Sequence, residues 1–583
     1  MALSRSQPMR RARFVRAGAG AVAAVALGCW MAALPARADS PMYRGGAGLT
    51  GAFDAKLSLP LALSWKYTAT YAGNNPSSPA VAGNAAYFAC GDRVYAVDLE
   101  SGALKWRYPQ DQPMSTRVRT SPAVSGNMVY FGAEDGKLYA LNTETGKGSW
   151  LFDTRSSVSS SPSVVDGIIY FGSADGHVWA IDSRTGAEVS AWAKGFAAGD
   201  EVSGAPAVAN GMVFALSGDG VLHAVGTATG KQRAAARLAG SVAGMVPMAM
   251  GDYVYAAAGS QVAAFLGRNL MRRWTTMMPA DVAVTPAVDE DAMYVVTTEN
   301  RIYALDLRNG RGKWKAAAEV DYDVIAPPSV CGNLLFVVTV QGGIYAFDTG
   351  TGALKWIYSM KPSSSREDVI TKYTNIAAPP VIADGALLVL ADDGSLAAFK
   401  SDAIDTLPPT VSDIEPAMGV VINGEPPIRF EAKIEDPGSG IDPSSVRLMI
   451  DGEGVTRRPD GDDSEDKPGY KYDVVTSTLT YDTPVPAGAS TVRPMTDGRH
   501  IVTVVARDWA GNTATKTWTV TVDNSVARVA RARTQDRNTG RAGRAGRGRG
   551  GIGGVGGTGG VGGIGGRRGS GGGRGRLGGG SSY

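Results

Sequence analysis

A proline closely followed by an apolar residue recurs eight times along the chain, and this repeat constrains the fold more than any other feature. Successive copies are separated by 43, 40, 44, 41, 39, 42 and 52 residues. The prolines are Pro79, Pro122, Pro162, Pro206, Pro247, Pro286, Pro328 and Pro380. A period of about 42 residues over eight copies is typical of a β-propeller whose blades each contain four strands.

The inside of each copy supports four strands. In the second copy, "SPAV" is followed by "NMVYFGA", "KLYALNT" and "GSWLFDT", which are short runs rich in Val, Tyr, Phe and Trp. The turn-forming segments "EDG" and "ETGK" separate them. No stretch of about 12 residues keeps a helical periodicity, so we predict an all-β domain.

Alanine, glycine and tryptophan recur at fixed spacing in the third and fourth strands of the copies. The intact motifs are Ala96/Gly102/Trp106, Ala140/Gly146/Trp150, Ala304/Gly310/Trp314 and Ala346/Gly352/Trp356. Glycine permits a tight turn, and the indole is a large apolar plate that suits the seam between two sheets. We expect the small alanine to leave room for the indole of the neighbouring blade. Copy three places Trp192 two residues late, copy four has Ala234 instead of tryptophan, and copy five has Leu270 instead of glycine.

These motifs resemble the pyrroloquinoline-quinone-type (PQQ-like) propeller repeat. That repeat is shared by quinoprotein dehydrogenases and by the propeller subunit of the outer-membrane β-barrel assembly machinery. The resemblance covers about residues 59–402 and implies an eight-bladed propeller. The eighth copy lacks its tryptophan strand, and "LPLALSWKY" at 59–67 contains an orphan Trp65. We expect this strand to complete blade eight and to close the ring, which removes exposed sheet edges.

The resemblance also implies what a quinone enzyme of this type needs: an axial calcium site of Glu, Asn and Asp, an aromatic floor and an adjacent Cys-Cys pair. The chain has no Cys-Cys pair and no C-x-x-C-H haem motif. Cys90 and Cys331 belong to different copies, and we expect both to be free and buried. We therefore predict no cofactor and a non-enzymatic binding protein. A PQQ- or metal-dependent quinoprotein dehydrogenase is an alternative.

Residues 1–38 are typical of an export signal. Arginines precede an apolar run at 17–34, and "ARA" at 36–38 provides a small-residue cleavage site. A lipoprotein anchor at Cys29 is an alternative. No later stretch has the 18 apolar residues that a membrane span needs. We expect an exported protein that is periplasmic or associated with the outer membrane or cell surface.

Residues 411–524, which follow a linker at 403–410, resemble bacterial immunoglobulin-like (Ig-like) β-sandwich domains. The segments "EDPGSGIDPSSV" and "DWAGN" carry the resemblance. Such modules space or adhere, so a cell-surface adhesin is a second alternative. Calcium binding by Asp436, Asp442 and Asp508 is left open.

Residues 525–583 form a Gly/Arg-rich tail that we predict to be disordered, because large apolar residues are scarce. The tail contributes +11 and residues 1–38 contribute +6, so residues 39–524 carry −14 of the formal net charge of +3. Anionic polymers or lipid head groups are candidate partners of the tail. Interleaved aromatic residues are lacking, so we expect no specific nucleic acid.

Two inter-blade loops are the best candidates for a partner-binding rim. "QDQPMSTRVRT" at 110–120 joins blades one and two and contains Arg117 and Arg119. The insertion at 361–375 precedes blade eight and contains Arg366 and Lys372. Blades eight and one adjoin in a closed ring, and loops on a rigid scaffold commonly carry recognition. We predict a cell-envelope scaffold that binds a protein or polymer, with outer-membrane assembly as one specific version.

Overall fold

A computed structural model describes residues 39–69, 77–362, 374–458, 469–485 and 494–527. The predicted signal peptide, nearly all of the predicted tail and two rim residues, Arg366 and Lys372, lie outside these residues. Within the described residues, strands predominate. The helical segments are the short 3-10 turns Tyr43–Gly45, Ser190–Trp192, Val340–Gly342 and Pro443–Ser445. The predicted all-β class is confirmed.

Eight sheets, called blades one to eight, follow one another between residues 52 and 400. Blade one comprises Ala80–Ala82, Ala85–Cys90, Arg93–Asp98 and Leu104–Tyr108. Blade two comprises Ala123–Ser125, Met128–Gly132, Lys137–Asn142 and Gly148–Asp153. Blade three comprises Ser163–Val165, Ile168–Gly172, His177–Asp182 and Phe196–Ala197. Blade four comprises Ala207–Ala209, Met212–Leu216, Val221–Gly226 and Gln232–Arg237.

The second half repeats this arrangement. Blade five comprises Met248–Met250, Tyr253–Ala258, Gln261–Leu266 and Arg272–Met277. Blade six comprises Ala287–Val288, Ala292–Val296, Arg301–Asp306 and Ala318–Glu319. Blade seven comprises Ser329–Cys331, Leu334–Val338, Gly343–Asp348 and Leu354–Ser359, and blade eight begins with Val381–Ala383, Ala386–Leu390 and Ser395–Lys400. The strands of each copy are antiparallel and in chain order, so each copy of the repeat forms one sheet.

Two strands from the N-terminal part of the chain join the last two blades. Ala52–Phe53 pairs in parallel with the first strand of blade seven. Ala62–Thr68 pairs antiparallel with the third strand of blade eight and places Trp65 opposite Ala398. Ala62–Thr68 is therefore the fourth strand of blade eight, and its hydrogen bonds join the two ends of the propeller sequence.

Burial changes from the inside of each blade to its outside. The second strand of blade one, Ala85–Cys90, is buried at every position, because neighbouring sheets cover both of its faces. The fourth strand of blade four, Gln232–Arg237, alternates between exposed and half-buried positions. First strands of neighbouring blades approach one another, which places them next to the propeller axis.

Residues 40–51 follow the inner edges of the blades around this axis. Carbonyl groups of the segment accept hydrogen bonds of 2.7–2.8 Å from first-strand N–H groups in six blades. The donor–acceptor pairs are Val81–Ser40, Val124–Pro41, Val208–Ala47, Ala249–Gly48, Val288–Thr50 and Val330–Gly51. A buried N–H group at a sheet edge costs free energy of folding when it has no acceptor, and the carbonyls of residues 40–51 provide the acceptors. Residues that the sequence places before the propeller thus lie inside it.

Residues 410–522 form a second body of two sheets that enclose a common core. One sheet contains, in spatial order, Thr410–Glu415, Arg429–Glu435, Thr478–Asp482 and Lys471–Asp473. The other contains Val421–Ile422, Thr513–Val522, Gly498–Arg507, Arg447–Ile450 and Glu453–Gly454. This body is a β-sandwich, and its Ig-like assignment stays a prediction.

The sandwich packs against the fourth strand of blade seven. The Tyr358 hydroxyl donates a hydrogen bond of 2.9 Å to the carbonyl of Pro437, and the Trp509 indole donates one of 3.0 Å to the carbonyl of Ile357. The Ser359 hydroxyl donates to the carbonyl of Val475 at 2.7 Å. Hydrogen bonds from the buried Tyr358, the half-buried Trp509 and Ser359 to backbone carbonyls thus hold the two bodies together.

Candidate functional site

The tryptophans of the repeat lie against the turn of the next blade. The Trp106 indole donates a hydrogen bond of 2.7 Å to the carbonyl of Thr143, and a Cβ atom at Gly146 would lie 2.7 Å from its ring. Glycine is required at this turn because the indole occupies the space of a side chain. Trp65, Trp274 and Trp314 repeat the arrangement, with carbonyls of Leu99, Leu307 and Thr349 as acceptors at 3.0, 2.7 and 2.9 Å and with Gly102, Gly310 and Gly352 under the indoles.

The alanine of the motif faces the tryptophan of its own blade. Ala96 pairs with Trp106, and Ala140 pairs with Trp150, across the third and fourth strands. Ala346 and Trp356 pair in the same way. The indole beside the alanine therefore comes from the same blade. The turn glycine, and not the alanine, receives the indole of the neighbouring blade. This corrects our expectation that the alanine makes room for that indole.

Three tryptophans depart from this pattern. Trp192, despite its late position, donates a hydrogen bond of 2.7 Å to the carbonyl of Thr227. Trp150 lies on Gly186, but its buried indole N–H has no hydrogen-bond partner within the described residues. Trp356 is fully buried with an unpartnered N–H, because the chain leaves blade eight where the receiving turn would be. Blade four differs more strongly from the repeat, because its fourth strand has Ala234 at the tryptophan position.

The first predicted rim loop is fixed to blade one. Arg93 is buried, and its guanidinium donates hydrogen bonds to the loop carbonyls of Asp111 at 2.8 Å and Gln110 at 3.3 Å. Arg117 is exposed. Arg119 is also exposed and forms an ion pair with Glu134 of blade two. The two arginines thus project from a loop with a defined conformation.

Both described ends of the second predicted rim loop are also held. The Lys361 ammonium donates a hydrogen bond of 2.8 Å to the carbonyl of Val475, and burial lowers the pKa of Lys361. The Asn375 amide donates one of 2.9 Å to the Asp392 carboxylate, whose pKa burial raises. Arg366 and Lys372 lie between these ends, outside the described residues, so their proximity to Arg117 stays a prediction.

A buried arginine lies within the segment that lines the axis. Arg44 is 1% exposed. Its guanidinium donates to the carbonyls of Leu49 at 2.8 Å, Thr50 at 3.2 Å, Thr285 at 3.5 Å and Pro286. Burial lowers the pKa of Arg44 to about 10, so the group is charged at neutral pH. Four carbonyl dipoles surround the charge, and two of them fasten the segment to the start of blade six. Nothing in the repeat pattern indicated this residue.

Three carboxylates meet at the junction between propeller and sandwich. Oxygens of Asp405, Asp436 and Asp508 lie within 4.8 Å of one another. Burial and then the two neighbouring carboxylates raise the pKa of Asp436 to about 6. Asp442 is not part of this group, because its carboxylate accepts a hydrogen bond from Ser444 N–H and lies 3.3 Å from the Arg507 guanidinium. The structure thus brings together two of the three aspartates for which the sequence left calcium binding undecided.

The described residues lack the adjacent Cys-Cys pair of the quinone site that the PQQ-type resemblance implies. Cys90 and Cys331 are free and buried, as predicted, and lie in blades one and seven. In the described ranges, the junction carboxylates form the one cluster of three acidic, cysteine or histidine ligands, and they lie away from the axis. The inner edges carry the positive charge of Arg44 instead.

Comparison with known proteins gives both a family and a set of similar folds. The quinohemoprotein alcohol dehydrogenase of Comamonas testosteroni is 14% identical over 64% of this chain and 82% of its own, with a TM-score of 0.50. The enzyme ADHIIG of Pseudomonas putida HK5 is 14% identical over 67% of this chain and 83% of its own, also with a TM-score of 0.50. BamB from Moraxella catarrhalis is 16% identical over 55% of this chain and 82% of its own, with a TM-score of 0.37. At such identities, the two dehydrogenases show the propeller fold alone.

No curated protein matches the chain in sequence. Among the residues that the structure describes, no helix has the length and apolar character needed to cross a membrane.

The family described as outer membrane protein assembly factor BamB matches residues 61–192, 190–317 and 219–406, which together span more than half of the 583 residues. The chain therefore belongs to this PQQ-like propeller family of outer membrane protein assembly factors.

Proposed function

We propose that this protein is an exported, non-enzymatic scaffold of the cell envelope that binds a protein partner through the rim of its propeller. The observation that carries the proposal is the path of residues 40–51. This segment hydrogen-bonds to the inner edges of six blades and places the buried guanidinium of Arg44 beside the axis. The segment thus lines the axis, where the PQQ-type resemblance implies a calcium site, and brings a positive charge there.

The rim provides a surface for recognition. Arg117 and Arg119 are exposed on a loop that the buried Arg93 guanidinium holds in place. A preformed loop loses little conformational entropy on binding, and arginine is enriched in protein interfaces. The description of the family, outer membrane protein assembly factor, supports an envelope protein as the partner.

Site-specific crosslinking tests the proposal. A photoactivatable amino acid at position 117 of the full chain, in cells, is expected to capture a defined partner protein. Position 308 is the matched control, because Arg308 also lies in an exposed turn, with 89% of its side chain accessible, but belongs to blade six. Capture of the same proteins at both positions would contradict a rim-specific interaction.

Charge reversal provides the second test. The double variant Arg117→Glu/Arg119→Glu, with the photoactivatable amino acid at a third rim position, Gln112, is expected to lose the crosslinked partner. The substitutions reverse the charge that the rim presents to the partner, and a mismatch of charge at an interface reduces association. Arg308→Glu is expected to leave capture unchanged. Retention of the partner by the double variant would overturn the assignment of the rim.

An activity assay addresses the enzymatic alternative. The full chain supplied with pyrroloquinoline quinone and Ca²⁺ is expected to reduce no electron-acceptor dye in the presence of primary alcohols. Alcohol-dependent reduction above that of a heat-denatured sample would overturn the non-enzymatic assignment, whatever the crosslinking result.

A further inference from the structure

The seam between blades four and five lacks the indole plate of the other seams. Ala234 occupies the tryptophan position, and Leu270 occupies the position of the receiving glycine with a φ of +52°. Gly267 lies three residues before Leu270, as Thr143 lies three residues before Gly146. In the seam between blades one and two, Thr143 supplies the carbonyl that accepts a hydrogen bond from the Trp106 indole N–H. The backbone of the seam therefore resembles that of the other seams, and the buried Leu270 side chain lies where they receive an indole.

A cavity of about 380 Å³ lies at this seam. Phe214 and Arg233 from blade four and Gly267 and Arg268 from blade five contribute to its walls. Binding pockets for small molecules commonly have volumes of about 300–1,000 Å³. The cavity is large enough for a bicyclic aromatic ring with a short polar substituent.

Phe214 forms an aromatic wall without a partner ring in its own blade. At the equivalent second-strand position of other blades, a tyrosine ring faces the tryptophan of the same blade. The ring centroids are 5.8 Å apart for Tyr130–Trp150, 5.5 Å for Tyr170–Trp192 and 6.2 Å for Tyr255–Trp274. A ring bound in the cavity would make this contact with Phe214.

Two cations line the cavity. Among the described residues, neither Arg233 nor Arg268 forms an ion pair, and Asp252 is the single carboxylate in the lining. The repeat explains why Arg233 lacks an acidic partner. In blade one, Lys105 occupies the position of Arg233 and lies 3.5 Å from Asp98, whereas blade four has Gly226 at the position of Asp98. The cavity therefore combines an apolar wall with positive charge.

We propose that this cavity is a binding site for a small aromatic carboxylate. The ring packs against Phe214, and a ring N–H donates to the carbonyl of Gly267. The carboxylate lies between the guanidinium groups of Arg233 and Arg268, which suit carboxylates because they present planar arrays of donors. The site lies in blades four and five, apart from the loop at 110–120, and does not depend on the proposed scaffold function.

Calorimetric titration of the full chain with indole-3-acetate tests the proposal. We expect saturable binding to one site with a Kd below about 1 mM. Neutral 3-methylindole, which retains the ring, and cyclohexaneacetate, which retains the carboxylate, are each expected to bind at least about tenfold more weakly, because each loses one of the two interactions. Absence of saturable indole-3-acetate binding would overturn the proposal, as would equal affinity for all three compounds.

Substitutions locate the site. The double variant Ala234→Trp/Leu270→Gly restores both the indole and the receiving glycine of the other seams and is expected to abolish binding, because the indole would then lie against Phe214. Arg233→Gln is expected to weaken indole-3-acetate about tenfold and to leave 3-methylindole unchanged, because one charged hydrogen bond is lost. Arg273→Gln is the matched control, because Arg273 precedes the tryptophan of blade five and does not line the cavity. Undiminished binding by both test variants would show that the ligand binds elsewhere.

Discussion

The indole Nε1 of Trp65 donates a hydrogen bond of 3.0 Å to the carbonyl of Leu99. Trp65 belongs to the fourth strand of blade eight, and Leu99 follows the third strand of blade one, so the bond joins the last blade to the first. The beginning of the propeller sequence therefore completes its final blade and also contacts its first blade. Closure of the ring gives the third strand of blade eight a partner strand.

The first prediction concerns this closing contact. Gly102 and Gly83 both have positive φ, +69° and +58°, but a Cβ atom at Gly102 would lie 2.5 Å from the Trp65 ring, whereas one at Gly83 has no neighbour within 4 Å. Both alanine substitutions incur backbone strain of about 1 kcal/mol. Gly102→Ala is expected to lose about 2 kcal/mol more, because the indole must move. Urea unfolding of the two variants checks the difference, and equal losses would contradict the role of the indole in closure.

The second prediction concerns the segment around the axis. A Cβ atom at Gly48 would lie 2.3 Å from the carbonyl oxygen of Ala249, whereas one at Gly46, which has an extended backbone, meets no atom within 4 Å. Gly48→Ala is expected to destabilise the protein by about 2–4 kcal/mol, because the segment must leave the inner edge of blade five. Gly46→Ala serves as the control and is expected to change stability by less than about 0.5 kcal/mol. Differential scanning calorimetry measures both.

The third prediction concerns Arg44. Arg44→Met keeps much of the side-chain length but leaves four buried carbonyls without their donor. Unsatisfied buried polar groups are costly, so we expect a loss of about 2–4 kcal/mol and faster hydrogen exchange at Val288 N–H. Arg308→Met, on an exposed side chain, is expected to change neither quantity. Unchanged exchange in Arg44→Met would show that the guanidinium does not anchor the segment.

The fourth prediction concerns pH. The pKa of Asp436 is raised from 3.8 to about 6 in the folded protein, so the folded state binds this proton more tightly than the unfolded chain does. The contribution of this group to stability therefore falls as the pH rises from about 4 to 6 and stays lowered above that range. Asp436→Asn lacks the buried charge and is expected to be more stable than the wild type by about 1–2 kcal/mol at pH 7.5, with the difference vanishing near pH 4.

Thermal unfolding in EDTA at both pH values tests this expectation, because the chelator restricts the comparison to protonation. Asp402→Asn, at an exposed position, is the control and is expected to shift neither midpoint. A stabilisation by Asp436→Asn that is the same at both pH values would show that desolvation of the Asp436 charge is not its cause.

The candidate sites were only partly predictable. Arg117 and Arg119 stand out in sequence because they lie in an interval between two repeats, where packing does not dictate the side chain. Ala234 and Leu270 are also visible as departures from the motif. That these two departures lie at one seam beside a cavity follows only from the contact between blades four and five. Asp405 was not singled out, because nothing near it in sequence indicates that Asp436 and Asp508 lie beside it.

The sequence by itself determined the all-β class and the blade units, because side-chain periodicity, turn residues and the position of Trp65 are local properties that repeat. It also indicated that an N-terminal strand completes blade eight. The tertiary structure alone decided the path of residues 40–51 and the burial of Arg44. The segment contributes mainly backbone carbonyl groups to the inner edges, and every residue carries such a group, so the amino-acid pattern leaves no trace of this pairing.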